Sequence, residues 1–503
     1  MHRPKLMAIQ KLVCSSILII ILVTACLPEP SGESIFVPTE ETQNEIVPAA
    51  PLPLPEVTLP PDRPQYFAGE LVEYIVQTGD TLPAIAVHFN TTESEIRAVN
   101  DVLPDHLTTL PMGLPLQIPI YYQPLWGSSY QIIPDAAFVN GPNVVDFDTV
   151  EFVAQSSGWL KNQVDFTSGS VLKGGEIIDY VAQNYSISPR ILLAVLEYQT
   201  GALSNSLAPD FSDGNLLGFH DLLRTRLLLQ LNLAANTLNN GYYGWSRGTM
   251  DSFTHVNDGR LEYGDPWQNA GTIALHYYFS NVLEYDAYRV AISDIGFQKT
   301  YFELFGDPWQ EELELIPGSL EQPYMQLPFE KDVPWTYTGA PHTGWGDGKP
   351  WSAIDFAPPG VSGCEQSSDW ITAVADGVIA RTAVGQVFLD LDGDGDERTG
   401  WVVFYMHVRG DEKVREGAFV TAGSAIGHPS CEGGSSTGTH VHMARKYNGE
   451  WITAYGPLAF EMEGWIVKSS GEAYQGTLER YSNVVTATDF SGAQSQIISS
   501  GSD

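Results

Sequence analysis

His440-Val441-His442 constrains the local fold more tightly than any other stretch of this chain. Two histidines at i and i+2 share a face only on a β-strand, where side chains alternate with period two. On a helix they would diverge by roughly 200°. Val441, the nearby threonines and the Gly-rich turn upstream all favour the strand. Taken alone, the pair reads equally well as a solvated strand face or as a platform for a metal and for proton transfer.

The pair has company. His342 lies in Gly339-Ala-Pro-His-Thr-Gly344, Asp355 in Ser352-Ala-Ile-Asp-Phe-Ala357 and His407 in Val403-Phe-Tyr-Met-His-Val408, so that five of the eleven histidines, His428 included, fall between His342 and His442. His, Asp, His and an open position suit a catalytic zinc, because three protein ligands leave a fourth site for water, whose pKa the metal lowers to about 7. The two remaining histidines are then placed to orient that water and steady a developing oxyanion.

These motifs resemble the lysostaphin/LytM-type zinc endopeptidases, which cut peptide bridges in bacterial peptidoglycan. The matching pieces are His342-Thr-Gly, Ile354-Asp355-Phe-Ala-Pro-Pro-Gly360, Val374-Ala-Asp-Gly-Val-Ile379, Tyr405-Met-His407 and Ser436-Thr-Gly-Thr-His-Val-His442. The resemblance implies an antiparallel β-rich zinc peptidase domain over 325–470, with His342, Asp355 and His442 as metal ligands and His407 and His440 as the unliganded catalytic histidines. One departure stands out. The family keeps its first His and its Asp close together, whereas here Trp345 to Ile354 intervene. Asp347 is nearer in sequence but sits in Gly346-Asp-Gly348, a turn composition, while Asp355 has the apolar, strand-like surroundings expected of the ligand. The extra residues are expected to form a loop over the cleft.

The N-terminus speaks to compartment. Lys5 and Lys11 precede the apolar run Leu12 to Val23, which ends in Val23-Thr24-Ala25-Cys26. That is a signal-peptide pattern, too short for a membrane span. Val-Thr-Ala-Cys resembles the bacterial lipoprotein lipobox, which implies cleavage after residue 25 and a lipid on Cys26; an ordinary secretory signal or an uncleaved anchor is the alternative. Two further cysteines, Cys364 and Cys431, fall in the peptidase-like segment, where an exported protein is expected to pair them as a disulfide.

A chain of 503 residues is too long for one core. Its 61 acidic and 25 basic side chains give a formal charge of -36, which argues against nucleic-acid binding and against electrostatic adsorption to anionic membranes. Any membrane attachment would therefore depend on the lipid. The expected fold is multidomain α+β. After a Pro-rich linker over 26–70, a βααβ module over 71–120 runs through Tyr74-Ile-Val-Gln-Thr-Gly-Asp-Thr-Leu82 to Leu114-Pro-Leu-Gln-Ile-Pro119. It resembles the LysM fold, which implies binding of N-acetylglucosamine-containing glycan.

The middle, 150–310, has helical periodicity in Glu176–Tyr185, Ser188–Tyr198, Leu216–Leu238 and Trp267–Leu283. Pro189 to Gly201 resembles the catalytic helix end of lysozyme-like lytic transglycosylases, which implies Glu197 as a candidate glycan acid; the family places a Ser after its Glu, and Tyr198 stands there instead. A glycan-holding helical domain without that chemistry is the alternative, with Tyr242, Tyr243 and Trp245 either stacking on sugars or filling the core. Asp390-Leu-Asp-Gly-Asp-Gly-Asp-Glu397 looks like the start of a calcium loop, but Trp401 holds the position of the closing Glu, so an acidic hairpin tip is the competing interpretation. A flexible tail is expected over 471–503. The resulting expectation is a lipid-anchored hydrolase of the cell envelope acting on peptidoglycan peptides. Its rivals are a non-catalytic scaffold or amidase activator and a glycan-cleaving enzyme dependent on Glu197.

Overall fold

Short local signals build the first module. Strands β1 (Glu70–Ile75) and β2 (Pro115–Ile120) pair antiparallel around helices α1 (Leu82–His88) and α2 (Glu93–Ala98). Thr81 caps α1 ahead of Pro83, and Thr92 and Glu95 form a reciprocal capping box on α2. Asn100 ties α2 to β2: its amide donates to the Ile96 and Gln117 carbonyls and its oxygen accepts from Gln117 N. The computed structural model describes residues 65–121, 126–167, 169–210, 212–310, 313–490 and 492–500. The signal segment, Cys26 and most of the Pro-rich linker lie outside them. No helix among the described residues is long and apolar enough to cross a membrane.

The middle region is helical around α3 (Gly175–Tyr185), α4 (Pro189–Thr200), α5 (Leu227–Ser246), α6 (Ala270–Val282) and α7 (Phe297–Phe305). One helix begins later than expected. Residues 216–226 form turns, with Gly218 and His220 at positive φ, and the helix then continues through Asn239-Asn-Gly-Tyr-Tyr-Gly-Trp245. Gly241 belongs there for a packing reason: a Cβ on it would lie 2.8 Å from Ala274 Cα of α6. Tyr242, Tyr243 and Trp245 are buried, so their aromatic area goes into the core rather than onto sugars. The LysM module docks here, with His88 stacked on Trp245 at a centroid distance of 3.8 Å.

The last region is built on β3 (Pro334–His342), β4 (Ala353–Ala357), β5 (Gly377–Ala383), β6 (Gln386–Asp390), β7 (Trp401–Met406), β8 (Val441–Tyr447) and β9 (Gln496–Ile498). They lie in the order β5-β6-β7-β8-β4-β3-β9, antiparallel throughout, within a nine-stranded sheet completed by Phe419–Val420 beside β5 and Glu450–Ile452 beside β8. Register separates two faces. His442 is opposite Met406 and Asp355, Ala444 opposite Phe404, and Phe404 opposite Phe388. Ala353, Phe388, Val402, Phe404, Met406 and Ala444 share one continuous core with the helical region, together with Trp451. The alternate residues Ile354, Leu389, Val403, Tyr405, Val441 and Met443 fill the other core. The helices therefore cover the same sheet face that carries Asp355 and His442.

The flexible tail expected over 471–503 is corrected by the strands found in it. Gly476–Arg480 and Asn483–Thr486 extend a four-stranded sheet with Glu461–Met462 and Trp465–Ser469, and β9 closes the edge of the large sheet against β3. Leu478, Val485 and Ile497 are buried by this pairing. Each apolar run is too short to stand out in a Ser- and Gly-rich background.

Candidate metal centre

His342 ends β3, Asp355 is the middle residue of β4 and His442 is the second residue of β8, so adjacent antiparallel strands bring three candidate ligands to one point. His342 Nε2 lies 3.0 Å from His442 Nδ1, His442 Nδ1 lies 3.1 Å from Asp355 Oδ1, and Asp355 Oδ1 lies 3.3 Å from His342 Nε2. A tetrahedral zinc with bonds of about 2.0–2.1 Å needs ligand atoms about 3.3 Å apart. The triangle meets that requirement.

Backbone carbonyls fix the tautomers. His342 Nδ1–H donates to Ala340 O at 2.8 Å, which leaves Nε2 as a lone pair facing the triangle. His442 makes the opposite choice, with Nε2–H donating to Gly344 O at 3.1 Å and Nδ1 facing inward. Such outer partners orient metal ligands and set their basicity. Burial alone would raise the Asp355 carboxyl, but His342 and His440 beside it hold it well below the usual carboxylate range. Burial pushes the His442 ring down and favours its neutral, ligating form. The donor set fits zinc.

The other two histidines flank this triangle. His440 Nε2 is 3.7 Å from Asp355 Oδ1, and its Nδ1–H donates to Gly438 O at 2.8 Å. Its side chain keeps 16% exposure against 3% for His342. His407 is 4.4 Å from His440 between ring centroids, and its Nδ1–H donates to Glu432 O at 2.8 Å. Burial, reinforced by His440 and His442, pushes the His407 ring down to about 3. His407 has φ 64°, a strained conformation for a side chain of this size, held by Val408 N donating to Gly385 O and Ser430 N donating to His407 O. Cys364 and Cys431 form a disulfide beside the loop that leads into His440.

The remaining expected positions fall elsewhere. Asp347 is in a turn whose backbone meets helix α5, not among the ligands. Glu197 Oε2 accepts from Leu203 N at 2.7 Å and Ser204 N at 3.3 Å, closing the turn after α4. His428 is bonded to the Asp369 carbonyl and Glu412, away from the triangle. Asp390, Asp392 and Asp394 have carboxylates within 4.8 Å of one another, and Asp390 accepts from Asp392 N and Gly395 N to close the β6–β7 hairpin tip. Two contributors were missed by sequence reasoning: Gly344, acting through its carbonyl, and Tyr474, whose ring stacks on His342 at 4.1 Å. Backbone contacts and stacking leave no motif, although Tyr474 opens the one apolar stretch of the C-terminal segment.

Known families and proteins match this arrangement in parts. The LysM domain family matches residues 74–119, and the family described as the LasA N-terminal domain matches residues 131–319. It is this domain that matches the region compared above with lysozyme-like transglycosylases. The beta-lytic metalloendopeptidase of Achromobacter lyticus is 29% identical over 165 residues, 31% of this chain and 41% of that protein. Protease LasA of Pseudomonas aeruginosa is 25% identical over 349 residues, 64% of this chain and 75% of that protein. The chain thus spans less than half of the first relative and three quarters of the second. Among solved structures, the M23 metalloprotease pseudoalterin is 24% identical with a TM-score of 0.29, covering 33% of this chain and 96% of that one. The chain carries a LysM domain and a LasA N-terminal domain, followed by a segment homologous to the LasA and beta-lytic metalloendopeptidases.

Proposed function

We propose that this chain is a zinc-dependent endopeptidase that cleaves peptide cross-links of peptidoglycan. Its LysM module would hold the glycan, and a lipid on Cys26 would attach it to a membrane outside the cytoplasm. The observation that carries the proposal is the convergence of His342, Asp355 and His442 with both His tautomers fixed so that lone pairs face inward. The beta-lytic relatives are themselves named metalloendopeptidases.

His342, Asp355 and His442 would hold the zinc. Bound there, it supplies Lewis acidity, polarising a scissile carbonyl and acidifying a water. The chain's own part is proton handling. His440 and His407 each spend Nδ1–H on a backbone carbonyl, so each presents Nε2 as an acceptor. His440, the more exposed ring, is the base that takes the proton of the attacking water. Once protonated at Nε2 it becomes a donor and returns the proton to the departing amine. His407, held neutral by burial, orients the same water as a second acceptor. The oxyanion-steadying role expected for it would require prior protonation, so orientation is the role proposed.

The test is zinc content and peptidoglycan turnover, with His442→Ala and Glu197→Ala alongside. About one zinc per chain, new amino termini in the product, and loss of both in His442→Ala support the peptidase. Well-folded protein with neither zinc nor turnover would leave the non-catalytic scaffold. New sugar ends that vanish in Glu197→Ala would favour the glycan-cleaving rival, although the Glu197 carboxylate is already engaged by two backbone amides.

A further inference from the structure

The segment between His342 and Asp355 reaches the helical region. Asp347 N donates to Asn236 Oδ1 and Lys349 N to Asn240 Oδ1, each at 2.7 Å. Asn236 and Asn240 stand one turn apart on α5, so both amide oxygens point from one helix face. The loop is cut to match. Gly346 and Gly348 both have positive φ, and a Cβ would fall 2.7 Å from Asn236 Oδ1 at the first and 2.2 Å from Asn240 Oδ1 at the second. Each glycine thus admits an asparagine to the backbone amide that follows it, Asp347 N after Gly346 and Lys349 N after Gly348. Just before this clamp, Gly344 O accepts the Nε2–H of His442. Gly344 itself is wedged: a Cβ there would meet Ser352 Oγ at 2.2 Å and Trp451 Cε3 at 3.3 Å.

We propose that Asn236 and Asn240 are positioning residues for the metal centre, acting from the helical domain through the clamped loop and the Gly344 carbonyl to hold the His442 ring. The extra length between His342 and Asp355 is what allows this reach. An Asn side chain on a packed helix fixes the loop backbone at two points, the loop fixes the Gly344 carbonyl, and the carbonyl fixes which His442 nitrogen keeps its proton. Metal affinity is sensitive to such outer partners. The helical domain is then part of the zinc site without touching the ion. The inference rests on the zinc reading given above.

Zinc affinity of the full chain, measured by competition with a chromophoric chelator, tests it in the wild type, Asn236→Ala/Asn240→Ala, and Asn236→Asp/Asn240→Asp. Thr237→Ala serves as a fold control, because its hydroxyl bonds to Leu233 O within α5. The double Ala variant is expected to bind zinc about tenfold more weakly while keeping the wild-type far-UV CD spectrum. The double Asp variant, which retains both acceptors, should recover most of the loss, and Thr237→Ala should bind like wild type. A folded double Ala variant within twofold of wild-type affinity overturns the clamp and leaves the zinc site standing. Absence of zinc from the wild type overturns both.

Discussion

Replacing Trp451 with Ala measures how firmly the helical region and the β-sheet are joined. Trp451 is 1% exposed and sits in the core the two regions share. Its ring lies 5.9 Å from that of Phe404 and under the Lys446 ammonium at 4.6 Å, and its Nε1–H donates to Tyr185 O at 3.3 Å. Truncating a buried Trp costs about 3–5 kcal/mol, and losing a desolvated cation–π contact about 2 kcal/mol more. The broken hydrogen bond adds little, since Asn239 Nδ2 still donates to the Tyr185 carbonyl and leaves no orphaned acceptor. The expected loss is about 5–7 kcal/mol. Guanidinium unfolding followed by far-UV CD and tryptophan fluorescence reads it. Both probes should shift together, because neither side of the interface keeps its core without the other. A loss below about 2 kcal/mol, or a shift confined to one of two separate transitions, would refute the shared-core argument.

Other expectations follow from single contacts. Cys364→Ser with Cys431→Ser opens a loop of 67 residues, and chemical denaturation should show a loss of about 4 kcal/mol by loop-closure entropy; an unchanged midpoint would refute it. Asp135, buried at the start of α6 and accepting from Gly271 N, is pushed by burial up to about 7. A raised acid holds its proton in the folded state after the unfolded chain has lost it, so this group's contribution is fully present below about pH 4 and falls away as pH rises to about 7. Asp135→Asn should therefore flatten the decline in stability over that window, and a pH series of melting curves on the pair would show it. Glu197→Gln keeps one acceptor oxygen for the turn after α4 and should leave peptide cleavage and zinc content unchanged; a drop in product amino termini would contradict this. His440→Ala should abolish turnover while retaining zinc, checked by metal analysis of the purified variant.

The LysM module and the candidate ligand set were legible because short local patterns mark them. Thr81-x-Pro83 and Thr92-x-x-Glu95 caps mark the two short helices, and two histidines at i and i+2 share a face only on a strand. Asp355 could be chosen over Asp347 because an apolar run and a Gly-flanked turn are physically different environments. The helical docking was harder to see, though one signal existed. Trp401-Val-Val-Phe-Tyr-Met406 shows no alternation, and all six residues are buried, as expected of a strand covered on both faces. What covered the second face could not be read, because inter-element packing has no period in sequence. The same holds for Asn236 and Asn240, which read as ordinary polar positions on a helix. Glu197 is a different case: the same oxygen that a motif singles out also accepts two backbone amides of the turn after α4, contacts that no motif shows.

One face of the sheet is at once the bench for the candidate metal ligands and the bed for the helices, and this bears on how the gene can change. Strand side chains have period two, so a single-residue insertion or deletion within β8 would swap every face at once. Met443 would turn toward the candidate metal site and His442 away from it, while Ala444 and Lys446 would leave the helices and Val441 would leave the opposite core. A strand with one wet face already loses its buried set to such a slip, and only a strand polar on both faces tolerates it. Here no silent side exists, so indels in β8 should be absent among working descendants of this chain, and variation in length should gather in the turns that flank it.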